Sequence, residues 1–472
     1  MASAWISPTG SDVTGDGTEA APFASPAAAL ADLSDGDTLY AVEGFYKYVL
    51  DLSTKSVNVT CPSGRAIFDG TVDIVGTWRD DGGGVFSIAE ASDPDALVLV
   101  IDGQWVKPRR MDSLAELTSV NTWWYTGGRI HINSGVSPVS AYDSIRKVGT
   151  GGIAGLYTST GGIYVGPGVD GVVLTRIGAW GWKFSGLLAD DNTGLTQVEC
   201  DFGFNGQDGT GGFGLVNFAL ADSDCHDNGV RIPRTVFEIN TDGDGASLHD
   251  SPVQASTNFF ILRCRFYRNT KDGVQNIEAS TGIVGFCLFV GNTLGVVVNA
   301  TGLQSVVGNK FIFDSLSLAA GLVFSFTGSP NCYYAGNTVY GAGVAGIPAF
   351  QTSNGTVALV GNIVDNCDRY VTNTSATVVS DYNMVDVGTL GVTLGANDIQ
   401  DDPELQDPTG ECYILSSSPA VGEGTSLVAY GGTYDYYGIV RPNPPAIGAS
   451  EPRQRVNGWP GGFGSSNFWV AS

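Results

Sequence analysis

Through the middle and rear of the chain a short unit recurs every 20 to 30 residues: a small polar residue or cysteine, then an apolar side chain two positions on. Aligning Thr175, Cys200, Ser223, Cys264, Cys287, Asn309, Asn337, Asn362 and Asp381 shows it. Two positions on stand Ile177, Phe202, Cys225, Phe266, Phe289, Phe311, Val339, Val364 and Asn383, apolar in all but the last. The intervals are 25, 23, 41, 23, 22, 28, 25 and 19. A period near 22 to 25 with small polar residues in register predicts a solenoid. Each coil offers a strand edge that only the next coil can satisfy, so side chains at one register stack at the ~4.8 Å strand spacing. Asparagines in such a column hydrogen-bond along it, and thiols fill the same slot. The pattern predicts an all-β chain wound as a parallel β-helix.

Composition agrees. In 472 residues there are 66 glycines and only 15% charged side chains, which suits many tight turns and few surface helices. The repeat leaves no room for a linker, so one elongated domain is expected. No apolar run is long enough to span a membrane. The opening MASAWISPTGSD lacks the charged and apolar blocks of a secretory signal, so the expectation is synthesis in a cytoplasm and release by another route, or a signal already removed. Of eight cysteines, Cys200, Cys264 and Cys287 fall on the ladder and Cys225 two residues after it, which predicts buried free thiols. With no Cys-x-x-Cys and three histidines, a zinc site is not expected.

A formal charge of −25 excludes nucleic acid as a natural partner. Against that background Arg231, Arg234, Arg263, Arg265, Arg268 and Lys271 put six of 23 basic residues into 41 positions, where an even spread gives about two. They lie within and just after the long 41-residue interval, which carries an insertion of roughly 18 residues relative to a 23-residue neighbour, centred on 229–243. Long loops on a regular solenoid are where binding sites are built. Asp208, Asp244 and Asp272, each followed by glycine, fall on successive coils there, and Ala246, Leu248 and Val274 pointing inward would leave Ser247, His249 and Gln275 outward. Stacked carboxylates repel, and one raised pKa would serve as a general acid. Asp208 and Asp272, two coils apart, would lie near ~9.6 Å, in the range of an inverting glycosidase. The same column also arises from a stack of Asx turns with no chemistry.

Residues 104–150 interrupt the repeat. NTWWYTGGRIHINSG reads as a hairpin turning at Gly127-Gly128, with Trp123, Trp124 and Tyr125 in one arm. Those aromatics, like Trp180 and Trp182 in a coil, are either sugar-stacking platforms or buried packing. The last residues, 452–472, are Gly-rich with Trp459, Phe463, Phe468 and Trp469 and too short of apolar sequence to fold alone. Packing on a neighbouring subunit or a virion partner is the sharper reading of that tail.

The two ends carry a family resemblance. WISPTGSDVTGDGTEAAPFASPAAALADLSDGDTLYAVEGFY (residues 5–46, within a 1–50 cap) pairs a first strand with a short helix capped by Ser25-Pro26. DPEL at 402–405, SPAVGEG at 418–424 and RPNPPAIGASE at 441–451 form a closing segment, 401–451, after the coils of 51–400. Together these resemble right-handed parallel β-helix proteins of the pectate-lyase-like superfamily, among them polysaccharide lyases and phage tailspikes. The resemblance implies a chain that binds, and in many members cleaves, polysaccharide. As a virion spike it would assemble as a homotrimer and act outside the cell on host surface polysaccharide. As a free lyase or epimerase it would hold Ca²⁺, here on Asp242, Asp244 and Asp250, and use Lys271, Arg263 or His249 as base. As an inert adhesin it would need neither. Under the enzymatic readings Asp208, Asp244, His249, Asp272 and Lys271 are the catalytic candidates. The five arginines with Trp180 and Trp182 are the substrate-binding ones.

Overall fold

The computed structural model describes residues 2–94, 96–149, 153–154, 160–229, 243–277, 281–299, 303–313, 323–325, 331–343, 348–373, 375–408 and 412–452. The chain is a right-handed parallel β-helix with three sheets along its length. Sheet I runs from Ser3–Ile6 to Thr377–Asp381 as twelve paired strands. Sheet II includes Ala66–Asp69, Asp201–Gly203, Asp224–His226, Arg265–Tyr267 and Thr338–Tyr340; sheet III includes Ser185–Asp190, Ala246–His249 and Asp272–Ile277. Sheets II and III merge in the eleven-residue strand Ile363–Asn373, whose first part pairs with sheet II and whose second part pairs with sheet III.

The strands are short because each spans one face of a coil. Alternation then sends Phe202, Cys225, Phe266, Phe289, Phe311 and Val339 inward, where they are at most 2% exposed. Phe266, Phe289 and Phe311 stack with ring centroids 5.0 and 4.6 Å apart. All eight cysteines are buried and free. At the turn from sheet I to sheet II the amide of Asn309 donates to Asn337 Oδ1 (3.1 Å), Asn337 to Asn362 (3.0 Å) and Asn362 to Asn383 (2.9 Å). Asp398 Oδ1 accepts from Asn383 and ends the column. Every amide proton so used is one that burial would otherwise leave without water. The column differs from the sequence alignment at both ends. Gly178 pairs with Asp201, so Ile177, not Thr175, shares the register of Cys200; Val364 pairs with Val385, so Asn383, not Asp381, follows Asn362. A second ladder, Asn205, Asn228, Asn269 and Asn292, lines the turn from sheet II to sheet III.

The first coil is closed by the helix Pro26–Asp32, whose Ser25 hydroxyl accepts the Ala28 amide and whose Ala29 and Leu30 join the main core. The interruption of the repeat begins earlier than residue 104. Val72–Asp73 already pairs with Ser144–Lys147, and Arg79–Gly82 and Val85–Ala89 belong to the five-stranded sheet that contains the Trp123 hairpin. This excursion has its own core of Ile88, Leu97, Leu99, Ile130 and Ile132 around Trp123, so Trp123 is packing and not a sugar platform. The closing segment lays Ile414, Ala420, Ala446 and Ile447 on Ile363 and Met384 of sheet II. The outer face of sheet II is thus covered by the excursion near one end and by the closing segment near the other.

Candidate functional site

The aspartate column is real in register: Thr210, Ala246 and Val274 pair in succession, which places Asp208, Asp244 and Asp272 on successive coils. Its carboxylates hold backbone. Asp208 Oδ1 accepts the Asp244 amide and Asp244 Oδ1 accepts the Asp272 amide, both at 3.0 Å. Asp244 and Asp272 are 0% and 1% exposed, closed to a polymer. Burial pushes Asp272 up to about 7, against the pull of Lys271 and Gln275 and with the help of Asp208. Lys271 Nζ stands 4.0 Å from Asp244. This is the geometry of stacked Asx turns.

His249 follows Ala246 and Leu248, which are in the core, on the outward parity; it stacks on Phe213 at 5.2 Å and sits 2.8 Å from the Ser247 hydroxyl. Asp250 Oδ1 accepts the Ser256 amide and shapes the loop after the strand. A calcium site shared by Asp244 and Asp250 is ruled out by distance. The two flank the extended strand Ala246–His249, and six residues of strand span ~20 Å. Asp242, Arg231 and Arg234 lie outside the described residues. Among the described residues no group of three His, Cys, Asp or Glu side chains is placed to hold a metal.

Three arginines of the cationic cluster are spoken for by the previous coil. Arg263 forks onto Asp222, Arg265 onto Asp224 and Arg268 onto Asp227, each across 41 residues. Among the described residues the apparent cationic patch is therefore a charge-paired seam between two coils. Arg65 adds contacts to Asp201 and Asp224. His226, which the sequence gave no reason to single out, bridges Asp201 and Asp227 at 3.0 Å each and stacks on Tyr267 at 4.7 Å. Burial alone would lower its pKa; the hydrogen bonds and charges of the two carboxylates outweigh that and push it up to about 9. Trp180 donates to Asp201 and packs on Trp105 of the excursion. Trp182 is 5% exposed, lies in the main core and donates to the Phe68 carbonyl, so it is not available to a substrate. Lys107 of the excursion reaches the carbonyls of Asp227 and Gly229. These contacts dock the excursion on sheet II and bury the carboxylates of Asp201, Asp224 and Asp227, while the guanidiniums of Arg265 and Arg268 stay about half exposed.

Further along the same outer face the arrangement changes. Tyr340, Asp365 and Asp386 occupy one outward column on three successive coils. They line a groove of about 700 Å³ with Asn366, Asp402 and Glu404, the last two contributed by the closing segment. The strand register slips between Asp365 and Cys367, and Asn366 takes the extra place with φ of +54°. Such a bulge re-aims neighbouring side chains and is common beside active sites. Asn366 Nδ2 donates to the Tyr340 hydroxyl at 3.1 Å. Burial raises Asp365 to about 6, and the charges of Asp386 and Asp402 add to it, while the Asn366 amide opposes. Asp386 is exposed. Among the described lining residues there is no lysine or arginine. The groove thus sets a carboxyl whose pKa is raised to about 6 beside a solvent-exposed aspartate.

Solved structures give the same architecture. The chain superposes on the complex of XylC with xylose at 12% identity and a TM-score of 0.52, over 95% of this chain and 98% of that one. It superposes on a rhamnogalacturonan lyase at 12% identity and 0.50, over 81% and 87%. The chain has the parallel β-helix fold. At these identities the likeness is one of fold. No family model and no curated protein matches the sequence.

Asp365 and Asp386 were missed in the sequence although a signal for them exists. Each stands three residues after a ladder asparagine, in Asn362-Ile-Val-Asp365 and Asn383-Met-Val-Asp386. Aligning Asp381 in place of Asn383 broke that match.

Proposed function

We propose that this chain is a polysaccharide-binding β-helix that cleaves glycosidic bonds by hydrolysis in the groove at Asp365 and Asp386. The observation that carries it is the pair itself: two carboxyls in register on adjacent coils, one raised to about 6 by burial and its neighbours, the other open to solvent. Adjacent strands set them ~4.8 Å apart at the backbone, close to the ~5–5.5 Å of a retaining glycosidase. Asp365 donates its proton to the glycosidic oxygen as that bond breaks. Asp386 attacks the anomeric carbon and forms a glycosyl ester. Asp365, now ionised, takes a proton from the water that hydrolyses the ester, and both groups are restored. Tyr340 offers a ring for a sugar face. Carboxylates without a basic partner in the lining repel uronates, so neutral sugars fit best and β-elimination, which needs a base beside a uronate, does not.

The finer reading, a virion-type spike acting outside the cell on host surface polysaccharide, is supported by the eight buried free cysteines, which suit folding in a reducing cytoplasm before release. The test is a panel of neutral and acidic polysaccharides, read for new reducing ends and for ultraviolet absorbance of unsaturated ends. Reducing ends without absorbance are expected, with rates falling as pH rises above about 6. Asp365→Asn and Asp386→Asn should each lower turnover by roughly 10³-fold or more while the fold persists. Unsaturated ends, or full activity in either variant, would refute the assignment.

A further inference from the structure

Tyr340 stands one coil before Asp365 in the outward column that continues to Asp386. A half-buried tyrosine left to itself rotates about its side-chain bonds, and its ring would sweep the mouth of the groove. Here it is held from the next coil. Asn366 donates its side-chain amide to the Tyr340 hydroxyl oxygen at 3.1 Å, across 26 residues.

The bulge makes that hold possible. In a regular strand the residue after an outward aspartate faces the core. Asn366 occupies the extra place in the strand at φ of +54°, escapes the alternation and is exposed. Asparagine is one of the few residues with a side chain that adopt this conformation readily. The turn that follows Tyr340 is seated on the same spot. Gly343 donates its amide to the Asn366 carbonyl and Gly341 donates to the Asp365 carbonyl, both at 2.9 Å. The seat is close, since a Cβ on Gly341 would stand 2.5 Å from the Asn366 carbonyl oxygen. Both ends of the tether are fixed by backbone contacts, and the phenol oxygen is fixed with them.

The direction of the bond decides its use. An amide N–H only donates, so the phenol oxygen accepts and keeps its own O–H to give. Among the described residues that proton meets no acceptor, and Tyr340 lines the groove beside Asp365. We infer that Asn366 is a positioning residue, which aims the Tyr340 O–H at an oxygen of the sugar lying over the acid pair. The inference rests on the reading of this groove as a sugar site. It adds to the stacking ring a directed donor that reads a sugar hydroxyl, and it assigns that direction to the bulge residue.

The test separates binding from cleavage. Affinity electrophoresis of the full chain near neutral pH, through native gels holding xylan, mannan, galactan or β-glucan, reads binding. Every protein carries Asp386→Asn, so that no polymer is consumed. The parent should be retarded by at least one of these neutral polymers. Tyr340→Phe keeps the ring, removes the hydroxyl and should weaken binding roughly 3- to 10-fold, the range of one uncharged hydrogen bond. Asn366→Gly suits the same backbone and should do likewise, and the two together should do no more than either alone. Asn366→Asp keeps the size and the left-handed preference but offers acceptor oxygens. It should take the phenol proton away from the sugar and weaken binding as much as Asn366→Gly. With Asp386 restored, reducing-end assays should show these losses in KM with kcat little changed. Melting followed by circular dichroism should stay within a few degrees of the parent throughout. An Asn366→Asp chain that binds as the parent does, or an additive double variant, overturns the inference. So does a parent that none of the polymers retards. The expected binding pattern with no reducing ends from the chain with Asp386 restored would uphold the inference and sink the hydrolytic reading instead.

Discussion

His226 supplies a stability test that depends only on its neighbours. The ring is 6% exposed and held between Asp201 and Asp227 at 3.0 Å on each side, with Arg268 closing on Asp227 from the next coil. Its pKa rises from 6.5 to about 9, and Asp227, despite its burial, is held well below the usual carboxylate range by His226 and Arg268. In the native chain His226 keeps its proton where the unfolded chain has lost it, so between those values stability falls as pH rises. The contribution is complete below 6.5 and gone above about 9. At ~1.36 kcal/mol per pH unit it amounts to about 3 kcal/mol. His226→Gln keeps a polar side chain and cannot titrate. Urea unfolding of both proteins from pH 6 to 10 should show the wild type ahead by about 3 kcal/mol at pH 6 and the gap closing by pH 10. Tyrosines and cysteines titrate alike in the two proteins, so the difference isolates the imidazole. Parallel curves over the whole range would show that His226 is not protonated between its two carboxylates.

Three further outcomes follow from the same contacts. Asp272 is raised to about 7 by burial, so the native chain binds a proton there that the unfolded chain releases near pH 4; stability falls from pH 4 to 7 and then stays low. Asp272→Asn should remove that fall and stabilise the chain at pH 8 by on the order of 2–4 kcal/mol, seen in urea midpoints; no gain would place a stronger partner on that carboxylate. Arg268→Met strips a partner from an almost fully buried carboxylate and should cost about 1–2 kcal/mol after allowance for the half-exposed guanidinium. Arg263→Met breaks a pair in which both side chains are about a third exposed and should cost under ~1 kcal/mol, so the ranking of the two melting shifts is the check. Asn337→Leu removes a side chain that donates to Val306 and Asn362 and accepts from Asn309. It should cost about 2–4 kcal/mol by leaving buried amides unpaired, measurable as faster hydrogen exchange in adjacent coils.

The coil repeat was legible because the turn from sheet I to sheet II demands one kind of residue, a small side chain that can donate to a nearby carbonyl and accept an amide from the coil behind. Cys200, Ser223 and the asparagines from Asn309 onward satisfy that demand and appear in the sequence as a period. The second ladder, Asn205 to Asn292, was present at a fixed offset of five from the first and passed unread. The excursion was legible only in part. Its strands pair mostly antiparallel with one another and carry no period, so nothing in the residues after Val72 announces that the solenoid has been left. Burial of Trp182, Asp244 and Lys310 depends on what other segments lay over them, and no local pattern encodes that.

Offsets between coils hold more information than composition does. Arg263, Arg265 and Arg268 read as a cationic cluster when counted along the chain. Set against the coil 41 residues earlier they meet Asp222, Asp224 and Asp227 one for one, and the cluster becomes a seam. The same comparison across 21 residues brings Asp365 to Asp386, with no lysine or arginine in the described groove lining to neutralise the pair. In a solenoid the neighbour that fixes a side chain's charge is one coil away, so a column of opposite charges consumes itself in holding coils together. The Asp365–Asp386 pair has no basic partner in the described groove lining, and burial, with the charges of Asp386 and Asp402 adding to it, raises Asp365 to about 6. That difference is why the arginine-rich coils, with the larger count of ionisable groups, serve the fold, and why the acidic pair in the groove is the better place to look for chemistry.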